Sequence, residues 1–143
     1  DTQAAAEYET VLTRSRLDEW LQRLEQAGEF AFDTETTSLD YTEARIVGVS
    51  FALRAGEAAY VPLAHDYPDA PQQLDRDEVL SLLRPLLESK EYGKIGHNLK
   101  YVSLVLANHE IDLQGIADDT MLVSYVLDST KRHGMYVLAL RML

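Results

Sequence analysis

The sequence predicts an α/β protein built on a mixed β-sheet. Between residues 30 and 63, three alternating or apolar segments of strand length follow one another through short connections, which favours antiparallel pairing. After residue 75, segments with helical spacing alternate with short strand-like segments. A chain of 143 residues fits one domain with a substantial core. Together these observations predict a single sheet with helices on both faces.

The first predicted elements are an edge strand over residues 8–12 and a helix that packs against the sheet. Ser15 can cap this helix, and Gly28 can end it. Apolar residues recur at helical spacing in this segment, namely Leu17, Trp20, Leu21 and Leu24. We therefore expect Trp20 in the core rather than at a ligand site.

Residues 30–40 form the segment around which the rest of the chain is organised. Alternation places Phe30 and Phe32 on one face of a strand and Asp33 and Glu35 on the other. Residues two apart in a strand are separated by roughly 6.5 to 7 Å, so both carboxylates can converge on one divalent cation. Carboxylate oxygens are ligands that Mg²⁺ prefers. Taken alone, these acids also fit a strand end that turns polar as it enters a loop.

Two further strands are predicted over residues 46–53 and 58–63, joined by a short hairpin that contains a glycine. Two of the four prolines, Pro68 and Pro71, fall within residues 64–73, which indicates a surface loop. This loop contains His65 and Asp66, a pair that could suggest a metal site. A solvated loop is the better interpretation of these two residues.

The second half of the chain is predicted to alternate helices with one short strand. The patterns indicate a strand over residues 94–97 and helices over 75–87, 99–108, 119–127 and 135–143. Pro85 is expected to kink the first of these helices or to begin a new turn. Asp119, which precedes Thr-Met-Leu, is interpreted as a helix N-cap.

Composition limits the possible classes of protein. With no cysteine, the chain has neither a disulfide framework nor a thiolate metal site. No apolar run approaches the length of a membrane span, and the first seven residues lack the features of a signal peptide, so we expect a cytoplasmic protein without membrane contacts. The formal net charge of −11 repels nucleic acid phosphates. Taken alone, this charge argues against nucleic acid as a ligand, and a domain that bound nucleic acid despite it would receive its substrate from a more basic neighbour.

Several motifs occur in an order and at a spacing that resemble those of one known family. They are Phe-Asp-Thr-Glu-Thr-x-Ser-Leu-Asp from Phe32, Ala59–Tyr67, Gly96–Tyr101 and Asp119–Leu122. From about Phe30 to Leu138 the chain resembles the 3′ to 5′ proofreading exonuclease domain of bacterial DNA polymerase I, a family A polymerase in the DEDD exonuclease superfamily. The resemblance implies a ribonuclease H-like exonuclease fold.

This resemblance also implies a metal-dependent hydrolysis of phosphodiester bonds at the 3′ end of single-stranded DNA. In the family, two Mg²⁺ or Mn²⁺ ions activate a water molecule and stabilise the leaving oxygen. Asp33 and Glu35 match the first two catalytic metal ligands, with Asp33 bridging both ions and Glu35 holding the ion beside the nucleophile. A polymerase domain of the same parent chain is the implied partner.

The same resemblance assigns a set of nucleic-acid-binding residues. Leu39 matches the residue that wedges against the terminal bases. The groove that binds the strand corresponds to His97, Asn98, Lys100 and Tyr101. Arg132 is similar to a basic contact to the phosphate backbone.

The chain departs from the family pattern at the third metal ligand. The aspartate that follows Asn-Leu-Lys-Tyr in the family is Val102 here, and the last family motif, Tyr-x-x-x-Asp, would lie beyond Leu143. Tyr125 begins a segment that resembles this motif only loosely, and we interpret it as a packing residue. We therefore expect residues 1–143 to be a single exonuclease-like domain, truncated before the last motif, that hydrolyses DNA slowly or not at all.

Two functional classes remain open after these departures. The first is the proofreading exonuclease; a ribonuclease D-like enzyme acting on RNA is a more distant third possibility. The second is a non-catalytic module of the same fold. Val102, Val123 and the residues after Gly134 are apolar where polar residues are expected, so they could form a surface for a homodimer or another protein. The alternative is that these side chains pack into the core.

Overall fold

The computed structural model describes residues 7–142, so the interpretation of the amino-terminal residues before Glu7, and of Leu143, lies outside the described part. The strands are β1 (Glu7–Thr10), β2 (Glu29–Thr36), β3 (Ile46–Arg54), β4 (Glu57–Pro62), β5 (Gly93–Gly96) and β6 (Ile116–Asp119). The helices are α1 (Arg14–Ala27), α2 (Arg76–Glu88), α3 (Leu99–Ala107), α4 (Thr120–Leu127) and α5 (Met135–Met142). None of these helices has the length and apolar character needed to cross a membrane.

The six strands form one sheet in the order β1-β4-β3-β2-β5-β6. Strands β2, β3 and β4 pair antiparallel, whereas β5 is parallel to β2, β6 to β5 and β1 to β4. The predicted mixed sheet is therefore confirmed. The sequence pattern missed β6, because its four residues are mostly exposed and include two acids, so they lack strand-like alternation.

One face of the sheet packs into the hydrophobic core. Phe30 and Phe32 of β2 are buried there, as predicted, together with apolar residues of α1, α2 and α3. The Trp20 ring of α1 lies 5.5 Å from the Phe51 ring of β3, centroid to centroid. Trp20 is thus a core residue, and its indole N–H donates to Glu9 at 2.9 Å.

The opposite face of the sheet carries small and polar residues. Ala31, Ala52 and Ala58 are directly paired across β2, β3 and β4, so their side chains share this face. They line a cavity of about 250 Å³ that Met135, at the start of α5, also lines. We call it the first cavity. Asp33 lies in it, on the same face as the three alanines.

Helix ends follow the predicted chemistry with one correction. The N-cap of α1 is Thr13 rather than Ser15, because the Thr13 hydroxyl accepts from the Arg16 N–H and Ser15 already lies inside the helix. Gly28 ends α1 with φ +71°, a left-handed conformation that glycine adopts without strain. Helix α2 begins directly after its N-cap, Asp75, and continues through Pro85.

Asp119 is a buried carboxylate, only 8% exposed, that joins two helices to the sheet. It accepts from the Met121 N–H at 3.0 Å, which confirms the predicted N-cap of α4. It also accepts from the N–H groups of Asn98 and Leu99, at 3.0 and 2.7 Å, where α3 begins. One side chain therefore satisfies donors at the start of both helices.

We expect Asp119→Ala to lower the free energy of unfolding by about 3 kcal/mol, because it leaves two helix starts uncapped and buried N–H groups unpaired. Urea denaturation followed by circular dichroism measures this change. Asp118→Ala is the matched control, since Asp118 is the exposed neighbouring acid, and we expect it to change stability by less than about 0.5 kcal/mol. Equal effects of the two substitutions would contradict the capping role.

Candidate active site

Asp33 and Glu35 project from β2 on the face opposite the core. Asp33 is half-buried and lines the first cavity, whereas Glu35 is exposed. Glu35 opens toward a second cavity of about 420 Å³, lined in part by Tyr60, His65 and Tyr67. The two acids thus share one face near the end of the strand, as alternation predicts, but border different cavities.

The protonation of Asp33 reflects its position. Burial raises the pKa of the Asp33 carboxyl above its ordinary value, and the negative charge of Glu35 also raises it. A hydrogen bond from the Thr34 N–H, at 2.8 Å, and the charge of His97 act in the opposite direction. Asp33 and Glu35 are therefore close enough to interact electrostatically, and a cation between them would relieve their repulsion.

The donor set fits one divalent ion better than two. Two carboxylates supply hard oxygen ligands, and Mg²⁺ is commonly held by one or two carboxylates together with water and substrate phosphates. Within residues 7–142, no group of three or more Asp, Glu, His or Cys side chains is arranged to hold a metal ion. Val102, expected from the sequence at the position of the third family ligand, is 1% exposed and packs in the core.

His97 lies beside Asp33 in the first cavity. The Thr120 hydroxyl donates to the Gly96 carbonyl at 3.2 Å, so it can accept from the Nδ1–H of His97 at 2.9 Å. The other ring nitrogen, Nε2, is sealed from solvent, and no group of the described residues hydrogen-bonds to it. Because Nδ1 is hydrogen-bonded and Nε2 is inaccessible, His97 offers this cavity its half-buried ring rather than a nitrogen ligand.

Leu39 and Tyr101 are brought together by the loop after β2. The Tyr101 hydroxyl donates to the Ser38 carbonyl at 2.6 Å and lies 2.7 Å from the Thr36 hydroxyl. Tyr101 thereby anchors the loop whose next residue, Leu39, is 94% exposed. Lys100, adjacent to Tyr101, is also exposed and can offer its charge to a ligand.

The remaining nucleic-acid-binding candidates occupy different positions. Asn98 is half-buried at the N-cap of α3 with φ +61°, and it makes no side-chain capping hydrogen bond. Arg132 is exposed in the turn between α4 and α5 and does not line the first cavity. The structure thus groups Asp33 with His97, and Leu39 with Tyr101, while Arg132 stands apart.

Sequence reasoning missed the surroundings of Glu35. His65 is half-buried rather than solvated, and the Gln73 side chain holds it through hydrogen bonds of 2.9 and 2.8 Å to its backbone N–H and carbonyl. Its ring hydrogen-bonds to the Tyr60 hydroxyl. The feature that could have indicated these surroundings is Tyr60 in β4, which pairing through Ser50 places on the same face as Asp33.

We expect Asp33→Asn to stabilise the protein at neutral pH in the presence of a chelator. Folding raises the pKa of Asp33, so the protonated carboxyl favours the folded state. This stabilisation is fully present below pH 3.8, the ordinary pKa, and is lost as the pH rises through the folded-state pKa. The stability gained by Asp33→Asn should therefore shrink as the pH is lowered toward about 3. Urea denaturation across this range measures the gain.

Asp40→Asn provides a control of opposite sign. Hydrogen bonds from the Thr42 hydroxyl and N–H lower the pKa of Asp40, so its ionised form favours folding at neutral pH. We expect this variant to be less stable than the parent at neutral pH. A loss of stability in Asp33→Asn at that pH would contradict the electrostatic interpretation of Asp33.

Comparison with known proteins identifies the family. A family model described as a 3′-5′ exonuclease matches residues 8–143. The DNA polymerase I of Pseudomonas aeruginosa is 56% identical over 99% of this chain, which spans 16% of that relative. The DNA polymerase I of Rhizobium leguminosarum is 39% identical over 90% of the chain, which spans 14% of its length.

A solved structure shares the fold. The Brucella melitensis NrnC structure with bound Mg²⁺ superposes with a TM-score of 0.63 at 21% identity, over 97% of this chain and 62% of that chain. At this identity the likeness shows the ribonuclease H-like exonuclease fold alone. The family match, the polymerase relatives and the sheet order agree on one conclusion: the chain belongs to the family of 3′ to 5′ exonuclease domains of bacterial DNA polymerase I.

Proposed function

We propose that this chain is a proofreading exonuclease module that binds the 3′ end of single-stranded DNA and hydrolyses it weakly. The observation that carries the proposal is the open face at the end of β2, where Asp33 and Glu35 project and the chain continues into the loop with the almost fully exposed Leu39. The two carboxylates could hold a metal ion at a phosphate, and an exposed apolar side chain can pack against the terminal base of a nucleic acid strand.

One Mg²⁺ or Mn²⁺ ion held by Asp33 and Glu35 would supply a bound water of lowered pKa. The chain's own residues hold and orient the substrate around it. Tyr101 fixes the loop that presents Leu39 to the terminal base. Lys100 and Arg132 are exposed and offer positive charge to the phosphates. His97 and Asn98 border the start of α3 beside this path.

The weak activity follows from position 102. Val102 has no oxygen ligand and is sealed in the core. Catalytic groups that act as a set lose most of their effect when one is missing. A single ion between two carboxylates can still bind a phosphate, but stabilisation of the leaving oxygen is reduced.

Delivery of the substrate requires a second domain. The net charge of −11 opposes binding of free DNA. The chain spans only 16% of its Pseudomonas relative, which is a DNA polymerase I. We propose that a polymerase domain of the same parent protein supplies the DNA end, in the bacterial cytoplasm where the chromosome lies.

A second candidate function is a non-catalytic module of the same fold that binds a partner. It is favoured by a group of large apolar side chains that are exposed on α4 and α5, namely Leu122, Val126, Leu127, Tyr136 and Leu140. Val123 is also exposed, so this surface is not folded into the core. Val102 is not part of it, because the Val102 side chain packs from α3 into the core, as in the alternative that the sequence left open. A homodimer or another protein could cover these side chains.

Digestion of a 3′-labelled single strand tests the proposal. With Mn²⁺ we expect slow, chelator-sensitive shortening of DNA from its 3′ end, abolished by Asp33→Ala because that change removes a metal ligand. An RNA strand of the same sequence tests the ribonuclease alternative. A chain that shortens neither strand at any Mn²⁺ concentration would favour the non-catalytic module, and activity insensitive to Asp33→Ala would contradict the assigned site.

Thermal unfolding of Val102→Asp tests the position of the third ligand. In chelator we expect a loss of about 3 kcal/mol, because an unpaired carboxylate enters the core. If, as the resemblance implies, an aspartate at residue 102 reaches the ion held by Asp33 and Glu35, saturating Mn²⁺ should restore about 2 to 3 kcal/mol by binding the folded state alone. Val105→Asp is the control, since Val105 is equally buried one turn further along α3. Recovery of both variants by Mn²⁺, or of neither, would show that residue 102 does not face the ion.

A further inference from the structure

We propose that Tyr60 and His65 form a positioning pair for Glu35, in which the Tyr60 hydroxyl donates a hydrogen bond to the Glu35 carboxylate when that carboxylate holds a metal ion. The inference rests on the proposed function, because it concerns the same metal site. It assigns a role to a tyrosine and a histidine that lie outside the motif of Asp33 and Glu35.

The register of the sheet brings Tyr60 to the correct face. Glu35 of β2 pairs directly with Gly48 of β3, and Asp33 pairs with Ser50, which in turn pairs with Tyr60 of β4. Directly paired residues share a face. The two acids and the tyrosine therefore project on the same side, with β3 between them.

Gly48 lets the tyrosine side chain cross β3. A Cβ atom at residue 48 would overlap the Tyr60 hydroxyl, so this hydroxyl occupies the place of the missing side chain. Paired Cβ positions in antiparallel strands are about 5 Å apart. The Tyr60 hydroxyl consequently stands about one cross-strand spacing from the Cβ of Glu35, and the carboxylate, two bonds further out, can reach it.

His65 fixes the direction of the tyrosine hydroxyl. Its Nε2 is hydrogen-bonded to the Tyr60 oxygen, and the Gln73 amide holds the His65 backbone from both sides. In the tautomer with the proton on Nε2, His65 donates to the Tyr60 oxygen. The tyrosine proton is then free to point at Glu35.

Electrostatics support the same arrangement. Burial raises the pKa of the Tyr60 phenol, and the negative charge of Glu35 raises it as well. The phenol therefore stays protonated and remains a donor at neutral pH. Glu35 and Tyr60 also line the same cavity.

The pair gives Glu35 a preferred orientation. Glu35 is exposed, so its long side chain would otherwise sample many rotamers. Groups that hydrogen-bond a metal-ligating carboxylate orient it and strengthen binding, and their removal typically weakens metal affinity about 10- to 100-fold.

Titration calorimetry with Mn²⁺ on Tyr60→Phe tests the inference. This change removes only the hydroxyl, and we expect Mn²⁺ affinity to fall about 10-fold. Gly48→Ala should cause a similar loss by displacing the Tyr60 ring while leaving Glu35 and Tyr60 chemically intact. Tyr8→Phe is the control, since Tyr8 is an exposed tyrosine on the edge strand β1, and its affinity should equal that of the parent. Circular dichroism establishes that each variant is folded.

Glu35→Gln separates failure of the inference from failure of the proposed function. If the parent binds Mn²⁺ and Glu35→Gln does not, equal affinity of Tyr60→Phe and the parent overturns the positioning role alone. If the parent shows no saturable Mn²⁺ binding, or if Glu35→Gln binds as well as the parent, the metal site and the positioning role both fall. Loss of Mn²⁺ binding in Glu35→Gln, together with weaker binding in Tyr60→Phe and Gly48→Ala and unchanged binding in Tyr8→Phe, supports the pair.

Discussion

The register of β2 is the constraint on which both the core and the candidate site depend. Phe30 and Phe32 face the helices, while Asp33 and Glu35 face the open side. Because β2 is paired with β3 on one side and β5 on the other, a slip of one residue would exchange the two faces. The buried phenylalanines therefore hold the two acids in place, and the energy of the core fixes the geometry of the site.

Two partly or fully buried aspartates show how surroundings separate structural from functional acids. Asp119 accepts three backbone N–H groups, so its burial is compensated and it holds α3 and α4 to the sheet. Asp33 receives one such bond and lies beside the negative charge of Glu35, and burial raises its pKa. Asp33 has few hydrogen bonds and lies at an open cavity, so it is the carboxylate of the two that a bound cation would stabilise.

Much of this arrangement could be predicted because its signals are local. Alternation located β2 and the faces of its acids, and helical spacing located α1 and the core position of Trp20. The missed features depend on contacts between distant segments. Strand β6 is defined by pairing with β5, and His65 is held by a side chain eight residues away. The reach of Tyr60 toward Glu35 depends on the glycine at position 48 of another strand.

Position 102 connects the stability of this chain to its chemistry. A fully buried valine contributes about 1.5 to 3 kcal/mol through burial of apolar surface, whereas an aspartate there would favour the fold only with a cation nearby. With Val102, helix α3 is attached to β2 through apolar contacts and needs no metal. The residues that meet solvent at the site, Glu35 and Leu39, contribute little to the core. The fold can therefore keep a valine at position 102 and still present Asp33 and Glu35 on the open face, as the proposed weak hydrolysis requires.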